Sequence, residues 1–252
     1  MRILKEIIKK VAFSFFPHIQ HYNERISNLE VAVTAIANAP EYVSDENSLN
    51  KQLRRKELVV DILNALKPQS IVETGTHLGD STGFFSKFSN KVYTSDISPI
   101  YMWAAKVRLS KITNINFFIG DSREFLMSLT KDSLVTSGKT FFYLDAHWHE
   151  DLPLHEELKI VSENWSAGNW IVLIDDFCVP GDSGYAYPSY GPNKTLNYDY
   201  VKNLVEDKGL NVFFPTIPSN IETGYKTGYV FISNGGSCLD ILKKNIKLKQ
   251  LI

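Results

Sequence analysis

The chain has 252 residues, 44% of them hydrophobic and 22% charged, enough to close a globular core without disulfide or metal staples, and this excludes intrinsic disorder. Lysine and arginine number 27 against 28 aspartates and glutamates, so no basic excess favours nucleic acid. Cys178 and Cys238 are the only cysteines, far apart and without metal-ligand spacing; they exclude a disulfide framework and fit a reducing cytoplasm.

From the start of the chain, residues 1–16 place Ile3, Leu4, Ile7, Ile8, Val11, Ala12, Phe15 and Phe16 on one side of a helix that Pro17 ends. We read this as a helix packed on the domain or on a second copy in a homo-oligomer, the alternative being contact with a membrane surface. Lys9 and Lys10 leave too short an apolar segment for a signal peptide. No stretch reaches the roughly 20 apolar residues of a spanning helix. A second helical pattern runs from about Asn23 to Ala39 through Ile26, Leu29, Val33 and Ile36, and Pro40 stops it. After a polar stretch, Ser44 to Asn50, a third helix buries Leu53, Val60, Leu63 and Leu66. Residues 1–68 thus read as an N-terminal helical extension, serving as a lid, an oligomer contact or a surface contact, in front of one main domain over residues 69–252.

Past Pro68, β-rich runs alternate with helical stretches. Strands are predicted at Ile71–Glu73, Lys91–Asp96, Ile115–Ile119, Thr140–Asp145 and Trp170–Asp175, and a closing pair at Val212–Phe214 and Gly228–Ser233. Such alternation specifies an α/β fold, a Rossmann-like, mostly parallel sheet with crossover helices. Ligands of such sheets bind beyond the carboxyl ends of the strands, so the polar residues there are the candidates.

The first strand runs into Glu73-Thr74-Gly75-Thr76-His77-Leu78-Gly79-Asp80-Ser81. Gly75 and Gly79 permit close backbone approach to a ligand, Thr76 lies within the turn, and Ser81 or Thr82 can cap the following helix. The spacing departs from the G-x-G-x-x-G dinucleotide pattern, and Glu73 suits a cationic group such as an amino acid ammonium rather than pyrophosphate. Asp96, ending the second strand, can accept both hydroxyls of a ribose. Asp121 and Ser122, after the third, can bond an exocyclic amine and a ring nitrogen. Together these are the groups that one adenosyl amino acid needs.

On these residues the chain resembles the class I S-adenosylmethionine-dependent methyltransferases: Glu73 to Gly79 stand for the first motif, Asp96 for the ribose acid and Gly120-Asp121-Ser122 for the adenine side. The likeness covers about residues 69–235 and implies a seven-stranded sheet whose last strand is antiparallel. It also implies S-adenosyl-L-methionine as cofactor.

The fourth and fifth strands end in Asp145 and in Asp175-Asp176. Three carboxylates at neighbouring strand ends repel one another unless a cation intervenes, and oxygen-only ligands suit Mg2+. Asp145 also borders the expected cofactor. This arrangement resembles the metal-dependent small-molecule O-methyltransferases of the catechol and macrolide-sugar branches, which implies Asp145, Asp175 and Asp176 as metal ligands. Where the catechol branch has a lysine base, this chain has His147 and His149; His147 is the first candidate base, His149 the second. The segment between Cys178 and Tyr198 is rich in glycine, proline and tyrosine, and Tyr185, Tyr187 and Tyr190 are candidates to stack on a ring-bearing acceptor.

The reading is a cytoplasmic, Mg-dependent O-methyltransferase acting on a hydroxyl of a small molecule or glycan. Competing readings are an iron-dependent oxidase or hydroxylase on the same fold, and a non-catalytic cofactor-binding module. A nicotinamide oxidoreductase is disfavoured by the glycine spacing and by the lack of a Tyr-x-x-x-Lys pair.

Overall fold

A computed structural model describes residues 17–37, 45–147 and 151–251 of the chain. The helix expected over residues 1–16 and the second candidate base, His149, lie outside these residues.

Helix α1 spans Pro17–Ala37. Its described range starts earlier than its apolar pattern. Ile26, Leu29 and Val33 are about half exposed, and Ala32 is buried. A short turn of 3-10 helix at Asp45–Lys51 leads to α2, Leu53–Leu66.

Strands β1 (Ser70–Thr74), β2 (Val92–Asp96), β3 (Ile115–Ile119), β4 (Thr140–Leu144) and β5 (Trp170–Ile174) are all parallel. Between them run α3 (Asp80–Phe85), α4 (Pro99–Arg108), α5 (Ser122–Leu129), α6 (Ser133–Ser137) and α7 (Leu154–Asn164). The chain then passes through α8 (Tyr198–Asp207), β6 (Asn211–Pro215), β7 (Val230–Ser233), α9 (Gly236–Lys244) and β8 (Leu248–Gln250). The sheet has eight strands in the order β3-β2-β1-β4-β5-β7-β6-β8, with β7 antiparallel to both β5 and β6. The expected seven strands are present, and the correction is one more: β8 pairs antiparallel with β6 and covers what would be an exposed edge. With three residues, β8 is too short to carry a readable alternation.

Alternating side chains of the central strands feed two apolar layers. Phe142, Leu144, Val172 and Ile174 pack with Leu126, Leu158, Val161 and Val201 on one face. Phe141, Tyr143, Ile171 and Leu173 pack with Leu58, Val59, Ile62, Leu63, Leu66 and Phe85 on the other. Helix α2 is therefore one of the layers that close the sheet. Its buried stripe differs from the expected one: Leu53 is half exposed, and the first turn buries Arg55 instead. No helix among the described residues is long and apolar enough to cross a membrane.

The strand order reverses between β1 and β4, and the carboxyl ends of β1 to β5 all open on this side.

Candidate functional site

A cavity of about 390 Å3 lies at that edge, bordered by Gly75, His77, Asp96, Asp121, Ser122, Asp145, His147, Asp176 and Tyr190. Of the residues expected to meet a cofactor, it brings together Gly75, Asp96, Asp121, Ser122 and Asp145.

Asp96 accepts the His77 N–H on Oδ2 and the Ser98 N–H on Oδ1, each at 2.7 Å. A carboxylate has about four acceptor positions, so each oxygen keeps one for a vicinal diol. Burial raises its pKa despite those two backbone bonds. Its neighbour His77 has φ +47, packs against the Tyr101 ring at 4.4 Å between centroids with the planes tilted by 58°, and is pushed below the usual histidine pKa, mainly by burial.

Asp121 caps α5 by accepting the Arg123 N–H, and its two oxygens also meet the Arg123 guanidinium, at 2.8 Å from Nε and 2.5 Å from Nη2. That side chain bonds Asp151 as well, at 2.8 Å, and holds the Asp121 carboxyl below its usual pKa. The Arg123 fork leaves Asp121 little acceptor capacity for an exocyclic amine. Nothing in the motif reading singles Arg123 out.

Glu73, Thr76, Gly79 and Ser81 stand behind the cavity wall. Glu73 is fully buried and accepts hydroxyl bonds from Ser81 at 2.5 Å, from Thr94 at 2.7 Å and from Thr82. The chain itself thus uses the carboxylate expected to meet a cationic ligand. Burial pushes Glu73 up to about 7, against the lowering effect of those hydroxyls. Thr76 is buried against Thr94, with 2.6 Å between hydroxyl oxygens. Gly79 has φ +81, and a Cβ there would lie 2.6 Å from Leu109 Cδ1: the glycine serves packing on α4.

Beyond the adenosyl side, Asp145, His147 and Asp176 offer ligand atoms that all lie within 4.8 Å of one another. His147 Nε2 is 3.2 Å from Asp176 Oδ2 and 3.6 Å from Asp145 Oδ1. Asp176 Oδ1 is buried without a hydrogen-bond partner. Burial and the nearby Asp175 and Asp176 charges push Asp145 well above the usual carboxylate range. Carboxylate oxygens, an imidazole nitrogen and an unpartnered buried oxygen make a donor set that fits a divalent cation.

Asp175, expected beside Asp176 as a ligand, points the other way. It is buried, pairs with Arg55 Nη1 at 2.6 Å, and accepts the Asp176 N–H at 2.7 Å, the Asn50 amide at 3.3 Å and the Tyr143 hydroxyl. Both aspartates lie in the bend that follows β5, where Asp176 takes φ +53, and the two side chains part there. Burial alone would raise the Asp175 pKa, but the Arg55 charge leaves it below the ordinary value.

The three tyrosines also separate. Tyr190 borders the cavity, its hydroxyl 3.4 Å from the His147 carbonyl oxygen. Tyr185 is core, donating to the Ile217 carbonyl oxygen at 3.0 Å, and Tyr187 is half exposed away from the cavity.

No family model matches the sequence, and no curated protein does. Solved structures do match. The O-methyltransferase from Bacillus cereus in complex with SAH superposes with a TM-score of 0.52 at 16% identity, over 83% of this chain and 91% of that one. The chain shares the fold of that O-methyltransferase. The O-methyltransferase TomG from Streptomyces achromogenes, involved in tomaymycin synthesis and in complex with SAM, gives a TM-score of 0.51 at 16% identity over 72% of this chain and 80% of that one.

Proposed function

We propose that the protein is an S-adenosylmethionine-dependent methyltransferase that methylates a hydroxyl of a small molecule or sugar, with a divalent cation held by Asp145, His147 and Asp176. The observation that carries this reading is the alignment in one cavity of Asp96 and Ser122 with the Asp145, His147 and Asp176 cluster. An adenosyl group bonded at Asp96 would present its reactive end toward that cluster.

S-adenosylmethionine supplies an electrophilic methyl group, and a divalent cation lowers the pKa of an acceptor hydroxyl. The chain supplies the rest. Asp96 receives the ribose diol on its two remaining acceptor positions, and Gly75 keeps the wall low beside it. Ser122 stands at the adenine end, where Arg123 fixes the neighbouring Asp121. Tyr190 gives the acceptor an aromatic face. Held between two carboxylates, His147 serves as a ligand rather than as the base of the sequence-based expectation, and the proton of the cation-held hydroxyl leaves to solvent water.

The 3.2 Å contact between His147 Nε2 and Asp176 favours one second reading, methyl transfer without a cation, in which Nε2–H donates to Asp176, which orients the ring, and the other ring nitrogen, Nδ1, takes the hydroxyl proton. Calorimetry with S-adenosylmethionine, and separately with Mn2+ as a probe of the cluster, tests both. Saturable binding of each supports the cation-dependent reading. Cofactor binding without Mn2+ binding favours the His147 base, and no cofactor binding overturns the methyltransferase assignment.

A further inference from the structure

The least economical feature of the molecule lies beneath the cavity rather than in it. Arg55 and Asp175 are 0% and 1% exposed, and burying two ions costs several kcal/mol that their attraction alone does not reliably offset. The arrangement is costlier still because Arg55 Nε and Nη2 have no hydrogen-bond partner. The faces of Tyr229 and Tyr143, 4.7 and 5.9 Å from the guanidinium carbon, compensate only in part. An apolar pair of similar volume would pack there at lower cost, so stability does not explain the ion pair.

Its contacts point toward the cluster. Asp175 Oδ1 receives the Arg55 Nη1 bond and also the backbone N–H of Asp176, a residue held at φ +53. Asp175 Oδ2 receives the Tyr143 hydroxyl, which lies 3.3 Å from Asp145 Oδ2. One carboxylate therefore fixes the backbone of one cluster residue and the phenol that touches another. The segment that delivers Arg55 is itself strained: Leu49, Asn50 and Lys51 have φ of +52, +60 and +60. Asn50 ends 3.3 Å from Asp175 Oδ2, and Glu222 holds the first turn of α2 through the Arg54 and Arg55 N–H groups at 3.0 and 2.9 Å.

We propose that Arg55 is a positioning residue: it draws Asp175 away from the cavity and thereby sets Asp145 and Asp176 to form, with His147, the cation-binding set. This inference rests on the cation reading of the cluster. It makes residues 50–55, from the segment in front of the first strand, a working part of the site.

The test compares wild type with Arg55→Lys and with the double variant Arg55→Met/Asp175→Asn, which leaves no unpaired buried charge. Mn2+ affinity, S-adenosylmethionine affinity without metal, and melting temperature are measured on each. The double variant should fold and keep cofactor affinity within about threefold, while its Mn2+ affinity falls about 10- to 100-fold, the usual effect of removing a group that orients a ligand. Arg55→Lys should recover most of it. Unchanged Mn2+ affinity in the double variant overturns the positioning role, and so does an equal loss of Mn2+ and cofactor affinity, which means general damage. A wild type that binds cofactor but no Mn2+ overturns the cation reading itself, and this inference with it.

Discussion

Gly75 and Asp145 meet where the strand order reverses: a Cβ on Gly75 would lie 2.5 Å from the Asp145 carbonyl oxygen. The turn after β1 and the end of β4 are thus in backbone contact, which holds the cofactor side of the cavity against the cluster side. Gly75 also has φ +90, a conformation that costs other residues about 1–2 kcal/mol. Gly75→Ala adds strain to a clash with rigid backbone. We expect a stability loss of about 2–4 kcal/mol, read from denaturant unfolding, and weakened cofactor binding in the folded fraction. A variant as stable as wild type would show that the turn can yield.

Glu73 and Glu157 contribute to a pH dependence of stability. Burial raises both to about 7, from an ordinary glutamate value of 4.5. Between those values the folded chain binds protons that the unfolded chain has released, so stability falls as pH rises through the window and levels off above it. Each shift corresponds to roughly 3 kcal/mol over the whole window. Melting temperature should therefore drop from pH 5 to pH 8. Glu73→Gln, neutral throughout, should lose part of that drop, and a variant with the wild-type slope would exclude Glu73 as a cause.

Much of this site is legible in the sequence because it sits at strand ends. A short β-rich run that closes on a carboxylate puts that group at the sheet's edge, which is why Asp96, Asp121 and Asp145 can be found without coordinates. What a strand-end residue faces is harder to read. Glu73 looks like a ligand contact until Thr82 and Thr94 are folded against it, and Asp175 and Asp176 look equivalent until the bend after β5 separates them. The partner that decides Asp175 is Arg55, 120 residues away, and no local pattern announces such a pair.

Asp176→Ala tests the cluster directly. It removes the carboxylate closest to His147 but leaves Asp96 and Ser122 untouched. Mn2+ affinity should fall by at least about 100-fold, while cofactor affinity measured without metal changes less than about threefold. Methyl transfer to a hydroxyl acceptor should become insensitive to chelator in this variant. Equal Mn2+ affinity in variant and wild type would move the cation elsewhere.

The tyrosines of the segment after β5 divide by burial, and two substitutions separate their roles. Tyr185→Phe deletes one hydroxyl bonded to the Ile217 carbonyl oxygen, and should cost about 1 kcal/mol of stability without affecting the KM of an acceptor. Tyr190→Ala removes a ring that borders the cavity next to His147, at 6.0 Å between ring centroids. Its acceptor KM should rise about 10-fold or more, with cofactor affinity retained, because an aromatic face against a bound ring contributes about 1 kcal/mol beyond its buried area. Steady-state kinetics on both variants with one acceptor decide the matter. A KM effect in Tyr185→Phe and none in Tyr190→Ala would place the acceptor on the far side of the segment, away from the cluster.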